Sequence, residues 1–139
     1  MKGTMMEGPL QILIVDDEPI VGKRLAPALS RMGCETEAFE DPEAALRRMK
    51  EKEFQIVVTD IRMENMDGLK VLENVLAKSP QTKVIMITGY ATIEIAREAL
   101  AKGAFDFIAK PFKPDDLRKS IVKAAQALGF DLKNEPKAA

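Results

Sequence analysis

Four short runs of apolar residues punctuate this chain, and the segments between them carry apolar residues at every third or fourth position. The runs are residues 12–15, 56–58, 84–87 and 107–109. Runs of this length are typical of parallel strands buried on both faces. The spacing of apolar residues within the segments between the runs is typical of amphipathic helices. With one further strand near residue 35, the pattern predicts an α/β fold of five successive strand–helix units. Right-handed crossovers then place helices on both faces of one sheet.

Element boundaries follow from the residues that flank each run. The predicted strands are residues 10–15, 35–39, 55–59, 83–87 and 105–109, and the predicted helices begin near residues 19, 42, 68, 92 and 115. Proline suits the first turn of a helix, so Pro19 and Pro42 indicate two of the starts. Glycine suits the C-terminal end, so Gly33, Gly103 and Gly129 indicate three of the ends.

The first helix has an apolar face with helical spacing, formed by Ile20, Leu25, Leu29 and Met32. We expect these four side chains to be buried against the sheet. Pro27 lies within the same helix and is expected to kink it, because proline lacks a backbone donor.

The fourth helix carries two apolar stripes rather than one. Ile93, Ala96 and Leu100 form the first stripe, and Ile95 and Ala99 form the second. One buried face does not need both. The surplus therefore either packs against the third or fifth helix or forms a surface for a partner.

A chain of 139 residues with 46% hydrophobic residues is large enough for one domain with a real core. We expect residues 10–128 to form that domain. Residues 1–9 are predicted to be a flexible leader, and residues 129–139 a flexible tail or linker.

Composition excludes several classes of function. The net charge is -1, and no basic stripe favours nucleic-acid binding. No apolar run approaches the roughly 20 residues of a membrane span, and no secretory signal is recognisable. Cys34 is the only cysteine, so an internal disulfide is impossible and a reducing cytoplasm is expected. Histidine is absent, so this chain cannot carry a phosphohistidine. Any histidine that donates a phosphoryl group to it must belong to another chain.

Polar side chains follow the predicted strands at the points where the strands end. Asp16 and Asp17 follow the first, Asp60 the third, Thr88 the fourth and Lys110 the fifth. The carboxyl ends of parallel strands meet at one edge of a sheet, which is where open sheets bind ligands. Three neighbouring carboxylates repel one another and favour a hard cation such as Mg²⁺. The lysine in turn favours an anion, most simply a phosphoryl group.

Taken singly, these residues also have ordinary structural explanations. Asp16 and Asp17 could cap the first helix, Thr88 could cap the fourth, and Lys110 could be a solvated lysine. Their joint placement at one edge favours a functional site over those separate explanations.

Five segments in order resemble the receiver domains of two-component response regulators. They are Val-Asp-Asp-Glu-Pro at 15–19, Thr-Asp-Ile-Arg-Met at 59–63, Met-Asp-Gly at 66–68, Thr-Gly at 88–89 and Lys-Pro-Phe at 110–112. The resemblance covers residues 10–128 and implies a flavodoxin-like sheet with strand order 2-1-3-4-5. Residues 87–112 resemble the receivers of nitrogen-regulation-type transcription activators in particular.

The resemblance also implies roles for the acidic residues. Asp60 resembles the phosphoacceptor, and a carboxylate can form an acyl phosphate as a nucleophile. Asp17 resembles the direct Mg²⁺ ligand, and Asp16 a ligand that binds directly or through water. The main-chain carbonyl of Arg62 takes the place of a further ligand.

Residues of the fourth and fifth strands resemble the switch of the family. Thr88 resembles the hydroxyl that bonds the phosphoryl oxygen, and Lys110 the ammonium that pairs with the acceptor and then with its phosphate. The Lys110–Pro111 bond resembles a cis peptide of the family. Phe107 occupies the aromatic switch position, and strand alternation predicts that Phe105 shares its face.

As a receiver, the chain is expected to be a cytoplasmic signalling switch and not a turnover enzyme. The implied phosphate donor is a sensor histidine kinase or a phosphotransfer protein. The implied output is a changed surface of the fourth helix, fifth strand and fifth helix, which would bind a second receiver or an effector domain.

Two rival functions come from other classes. A Mg²⁺-dependent phosphatase of the haloacid-dehalogenase type also uses an aspartate nucleophile, but that family places it after the first strand in an Asp-x-Asp pattern. A degenerate receiver would act as an interaction module without phosphate. All five site residues are present, which argues against degeneracy.

Overall fold

The computed structural model describes residues 9–61, 67–89, 92–130 and 132. Strands and helices alternate along these residues. The elements in chain order are β1 Leu10–Val15, α1 Pro19–Arg31, β2 Cys34–Phe39, α2 Pro42–Arg48, β3 Ile56–Asp60, α3 Gly68–Lys78, β4 Lys83–Thr88, α4 Ile93–Ala101, β5 Asp106–Ala109 and α5 Pro114–Ala127.

All five strands form one parallel sheet in the order β2-β1-β3-β4-β5. This confirms the predicted flavodoxin-like order. In the register, Val15 lies beside Thr59, Asp60 beside Ile87 and Thr88 beside Ala109. The carboxyl ends of β1, β3, β4 and β5 therefore reach the same edge of the sheet.

Two hydrophobic cores lie on opposite faces of the sheet, because successive strand residues point in opposite directions. Ile12 and Ile14 contribute to the α1/α5 core, which contains buried residues of α1 and α5. Leu13 and Val15 contribute to the α2/α3/α4 core, which contains buried residues of those three helices. The molecule thus has three layers, and both faces of the central strands are covered.

Side-chain caps satisfy backbone donors at the starts of three helices. Asp41 accepts a hydrogen bond from the Glu43 amide, and Asp67 accepts one from the Leu69 amide. Thr92 accepts one from the amide of Ile95 at the start of α4. Each bond satisfies a donor that the first turn leaves without an intrahelical partner.

The glycines predicted to end three helices all have positive φ. The angles are 85° at Gly33, 106° at Gly103 and 92° at Gly129. Glycine reaches this region without a steric penalty, which explains its place after the last helical turn.

Helix α1 departs from its sequence prediction at one position. The prediction that Ile20 is buried is wrong, because its side chain is 58% exposed. It lies in the first turn, where the helix begins at the edge of the sheet, and it lines a surface groove with Pro111 and Phe112. The helix runs through Pro27 without interruption, so the proline does not end it.

The prediction that Phe105 and Phe107 share a face is also wrong. Phe105 packs against the α1/α5 core, whereas Phe107 packs against the α2/α3/α4 core. The reason is that β5 begins only at Asp106, so Phe105 precedes the strand and strict alternation does not apply to it.

The two stripes of α4 have different environments. Ile95 and Ala99 pack into the α2/α3/α4 core. Ile93 is 68% exposed and Leu100 is 49% exposed. The large side chains of the surplus stripe therefore lie on the surface of the described structure.

Contacts with the α1/α5 core continue past residue 128, the predicted end of the domain. Phe130 and Leu132 are half-buried against this core, and the Phe130 amide donates to the Ala125 carbonyl at 2.9 Å.

Cys34 is buried in the same α1/α5 core, and burial raises the pKa of its thiol to about 11. Within the described residues, no helix has the length and apolar character needed to cross a bilayer.

Candidate functional site

The edge formed by the carboxyl ends of the strands collects most of the residues predicted from the sequence. Asp16 and Asp17 directly follow β1, Asp60 is the last residue of β3, Thr88 is the last of β4, and Lys110 follows β5. The structure brings Asp16, Asp60 and Lys110 into direct contact.

Lys110 is the centre of this contact. Its Nζ donates to Asp60 Oδ2 at 2.8 Å, to Asp16 Oδ2 at 3.0 Å and to Glu18 Oε1 at 3.0 Å. The side chains of Asp16 and Asp60 are almost fully buried, with 1% and 8% of their surfaces exposed. One ammonium therefore neutralises part of a group of three carboxylates, two of which water screens poorly.

Burial and hydrogen bonding act in opposite directions on the pKa values of Lys110 and Asp16. For Lys110, burial disfavours the ammonium, but hydrogen bonds to Asp60, Asp16 and Glu18 outweigh it and raise the pKa above its ordinary value. For Asp16, burial raises the carboxyl pKa, although the Glu18 amide and Lys110 oppose this. The charge of nearby Asp60 raises that pKa further. The ionised form of Asp16 is therefore less favourable in the folded chain than in water.

Backbone hydrogen bonds fix the positions of these side chains. The Glu18 amide donates to Asp16 Oδ1 at 2.9 Å, which orients that carboxylate. The Lys110 amide donates to the Thr88 carbonyl at 2.8 Å, so the backbones of the lysine and the threonine are joined. The Lys110–Pro111 peptide bond is cis, as the resemblance implies.

The end of β3 is held by its neighbours. The Ile61 amide donates to the Ile87 carbonyl at 3.2 Å, and the Gly68 amide donates to the Ile61 carbonyl at 2.7 Å. The start of α3 is therefore bonded to the residue that follows β3. These backbone bonds, together with the pairing of β3 in the sheet, fix the position from which the Asp60 carboxylate projects.

The carboxylates could hold a metal ion. Oxygen atoms of Asp16, Glu18 and Asp60 lie within 4.8 Å of one another. Such a set of oxygen donors suits a hard cation such as Mg²⁺. In the described part of the chain, Asp17 is half-buried and is not a member of this grouping. Arg62, the predicted main-chain ligand, lies outside the described residues.

Glu18 is the residue that sequence reasoning missed. It lies in the acidic run after β1, but the sequence pattern gives it no role in the site. Its amide orients Asp16 and its carboxylate binds Lys110. The available signal was its position two residues after Asp16, because an aspartate oxygen often accepts from the amide two residues on.

The two predicted switch residues lie on neighbouring strands. Thr88 is fully buried at the end of β4. Phe107 is half-buried in β5, where it lies beside Met86 in the register and packs against the α2/α3/α4 core. The structure therefore brings both residues to the half of the sheet that carries α4.

Comparisons with known proteins agree with this geometry. The family model described as the response regulator receiver domain matches residues 12–122. Regulatory protein AtoC of Escherichia coli is 40% identical over 116 residues, which cover 84% of this chain and 25% of AtoC. The nitrogen assimilation regulatory protein NtrX of Azorhizobium caulinodans is 34% identical over 119 residues, covering 84% of this chain and 26% of NtrX.

A solved structure gives the same result for the fold. The beryllofluoride-activated NtrC4 receiver domain dimer superposes with a TM-score of 0.81 at 30% identity, covering 85% of this chain and 98% of that one. The curated relatives are much longer, since this chain spans about a quarter of their length. The match is therefore to one domain of those regulators. The chain belongs to the response regulator receiver domains, the phosphorylation-activated switches of two-component systems, and resembles the nitrogen-regulation-type receivers among them.

Proposed function

We propose that Asp60 is the residue that accepts the phosphoryl group. The observation that carries this proposal is the contact between Asp60 Oδ2 and the Lys110 ammonium at 2.8 Å, where the Asp60 side chain is only 8% exposed. An ionised carboxylate at a strand end can attack phosphorus, and the ammonium can follow the charge as it develops.

The transfer forms one bond and breaks one bond. An Asp60 carboxylate oxygen attacks phosphorus, a P–O bond forms, and the P–N bond to the donor imidazole breaks with its electrons returning to nitrogen. Catalysis of such transfers is mostly positioning and charge neutralisation. Lys110 already lies against Asp60, so little rearrangement is needed for it to contact the new phosphoryl oxygens.

Mg²⁺ fits the donor set at this edge. In this proposal Asp16, Asp17, Asp60 and the Arg62 carbonyl hold it, as the resemblance implies. When bound, Mg²⁺ supplies positive charge that offsets both the carboxylates and the incoming phosphoryl oxygens. The proximity of the Asp16, Glu18 and Asp60 oxygens supports a cation site, with Glu18 as a residue that lies beside it.

The response to phosphorylation starts at Thr88. A phosphoryl group on Asp60 adds strong acceptor oxygens, and the Thr88 hydroxyl is proposed to move to bond one of them. Phe107 then turns into the space behind Thr88. Helix α4 follows, because it begins at Ile93, only a few residues after the threonine. This is a population shift between two arrangements, biased by contacts made in only one.

The proposed output surface is formed by α4, β5 and α5. Ile93 and Leu100 are large exposed apolar side chains on α4, which is what a partner surface requires. The partner is a second receiver or an effector domain. The solved NtrC4 receiver is described as a dimer in its beryllofluoride-activated form, which supports the first possibility by analogy.

The receiver domain is proposed to span residues 10–128, with Phe130 and Leu132 of the following segment packed against its α1/α5 core. The proposed donor is a sensor histidine kinase or a phosphotransfer protein in the cytoplasm. The chain assists its own phosphorylation and dephosphorylation without being a turnover enzyme. It is not proposed to bind nucleic acid or a membrane itself.

One experiment tests the assignment of Asp60. The protein is incubated with Mg²⁺ and acetyl phosphate, and the adduct is located by mass spectrometry. We expect one phosphoryl group on Asp60 and none in Asp60→Asn. Label on a serine or threonine of that variant at the wild-type level would overturn the assignment, and sustained turnover of small phosphate esters would favour a phosphatase instead.

A further inference from the structure

A hydrogen-bonded pair joins β5 to α5 away from the acidic group. The Ser120 hydroxyl donates to Asp106 Oδ2 at 2.7 Å, and the Phe107 amide donates to Asp106 Oδ1 at 2.8 Å. Ser120 is buried and Asp106 is half-buried. One carboxylate therefore fixes both the backbone of the strand and a side chain of the helix.

This carboxylate is not placed for charge pairing. Among the described residues, none of the ion pairs includes Asp106. Its partners are a hydroxyl and a backbone amide, both neutral. Hydrogen bonds to an ionised acceptor are stronger and shorter than bonds between neutral groups. Asp106 therefore links β5 to α5 through hydrogen bonds, without neutralising a positive charge.

The Asp106–Ser120 hydrogen bond connects α5 to β5, the strand that carries the proposed switch residue Phe107. Phe107 follows Asp106 directly, and Lys110 comes immediately after the same short strand. On the helix, Ser120 lies next to Ile121, which is fully buried in the α1/α5 core. A displacement of β5 at Phe107 would therefore be transmitted through Ser120 to the middle of α5, and not only to its first turn.

We propose that the Asp106–Ser120 hydrogen bond couples β5 to α5, so that α5 responds when Asp60 is phosphorylated. This inference rests on the proposed function and assigns the transmission to α5 to a specific pair. Without the bond, Phe107 and Lys110 would still respond, but α5 would follow them less. The two residues are positioning residues and do not touch the phosphoryl group.

The test compares Ser120→Ala with wild type by backbone NMR, before and after addition of Mg²⁺ and beryllofluoride. Beryllofluoride binding at Asp60 is measured first in both proteins. We expect unchanged binding and unchanged shift differences in α4, but shift differences in residues 118–127 that fall by about half or more. Ser120→Thr, which keeps the hydroxyl, should restore them.

A matched control removes a buried hydroxyl elsewhere. Thr82 is buried and donates to the Phe54 carbonyl at 2.9 Å, at the other end of the sheet. Thr82→Val should leave the α5 response at the wild-type level. Wild-type α5 shifts in Ser120→Ala would overturn the coupling, as would an equal loss in Thr82→Val. Absence of beryllofluoride binding in the wild type would instead contradict the proposed function.

Discussion

Gly68 packs directly on the backbone of Asp60. A Cβ at Gly68 would overlap the Asp60 carbonyl oxygen and the Ile61 Cα. The first residue of α3 therefore has no room for a side chain, and the contact holds the end of β3 in place.

The first prediction is that Gly68→Ala destabilises the fold by about 1–3 kcal/mol, because backbone atoms must move to admit the methyl group. Urea denaturation measures the change. Gly89→Ala is the control, since a Cβ there has no atom within 4 Å. A Gly68→Ala variant as stable as that control would show that the contact is not tight.

The second prediction separates the two acids that follow Asp16. Asp17→Asn should weaken Mg²⁺ binding by about tenfold or more, because the proposed direct ligand loses its charge. Glu18→Gln should change it by only about twofold, since Glu18 is exposed and pairs with Lys110. Titration of each variant with Mg²⁺ gives the affinities. The reverse order would make Glu18 the ligand.

The third prediction concerns pH. The pKa of Asp16 is raised in the folded protein, chiefly by burial, so its ionisation costs stability as pH rises through that value. Asp16→Asn cannot ionise and should therefore be more stable than wild type at neutral pH without Mg²⁺. The difference should shrink as pH falls toward the ordinary range of aspartate. Urea titrations across pH check it, and a gap that grows in acid would contradict the stated sign.

The fourth prediction concerns Thr88. Thr88→Ala should still accept phosphate from acetyl phosphate, because Asp60 and Lys110 are unchanged. It should lose most of the beryllofluoride-induced NMR shift changes in α4, since the hydroxyl proposed to bond the phosphoryl oxygen is gone. Wild-type shift changes in α4 of this variant would refute the coupling through Thr88.

The fifth prediction concerns the surface of α4. Ile93→Ser should change the free energy of unfolding by less than about 0.5 kcal/mol, because the side chain is largely exposed. It should also reduce self-association after beryllofluoride activation, measured by sedimentation. Ile20→Ser is the matched control, as Ile20 is a similarly exposed isoleucine on α1. Equal loss in both variants would show that the effect is not specific to α4.

Sequence reasoning placed the strands well because each apolar run is bounded by polar or turn-forming residues. Every strand begins and ends within one residue of its predicted limits, and the edge of the sheet collects Asp16, Asp60 and Lys110 as expected. Burial within a helix was harder to predict. Ile20 has the right spacing but lies in a first turn beside a groove, and spacing alone does not show where a helix leaves the sheet.

The side-chain contacts of Glu18, Phe105 and Phe107 could not be predicted from the sequence. The position of Glu18 depends on how the chain turns between β1 and α1, which determines that its amide meets Asp16. The faces of Phe105 and Phe107 depend on the residue at which β5 begins. In both cases a shift of one residue changes the contact, and sequence patterns locate element ends less accurately than that.

Lys110 is, in effect, a counterion attached to the chain. A dissolved cation has to compete with an ammonium tethered beside the same oxygens, at a high effective concentration. An anion that draws the ammonium away releases those oxygens to the cation. Because such coupling is reciprocal, the cation must favour the anion by the same factor. In the proposed site, a single lysine thereby makes two ions of opposite charge each other's effectors at one edge of the sheet.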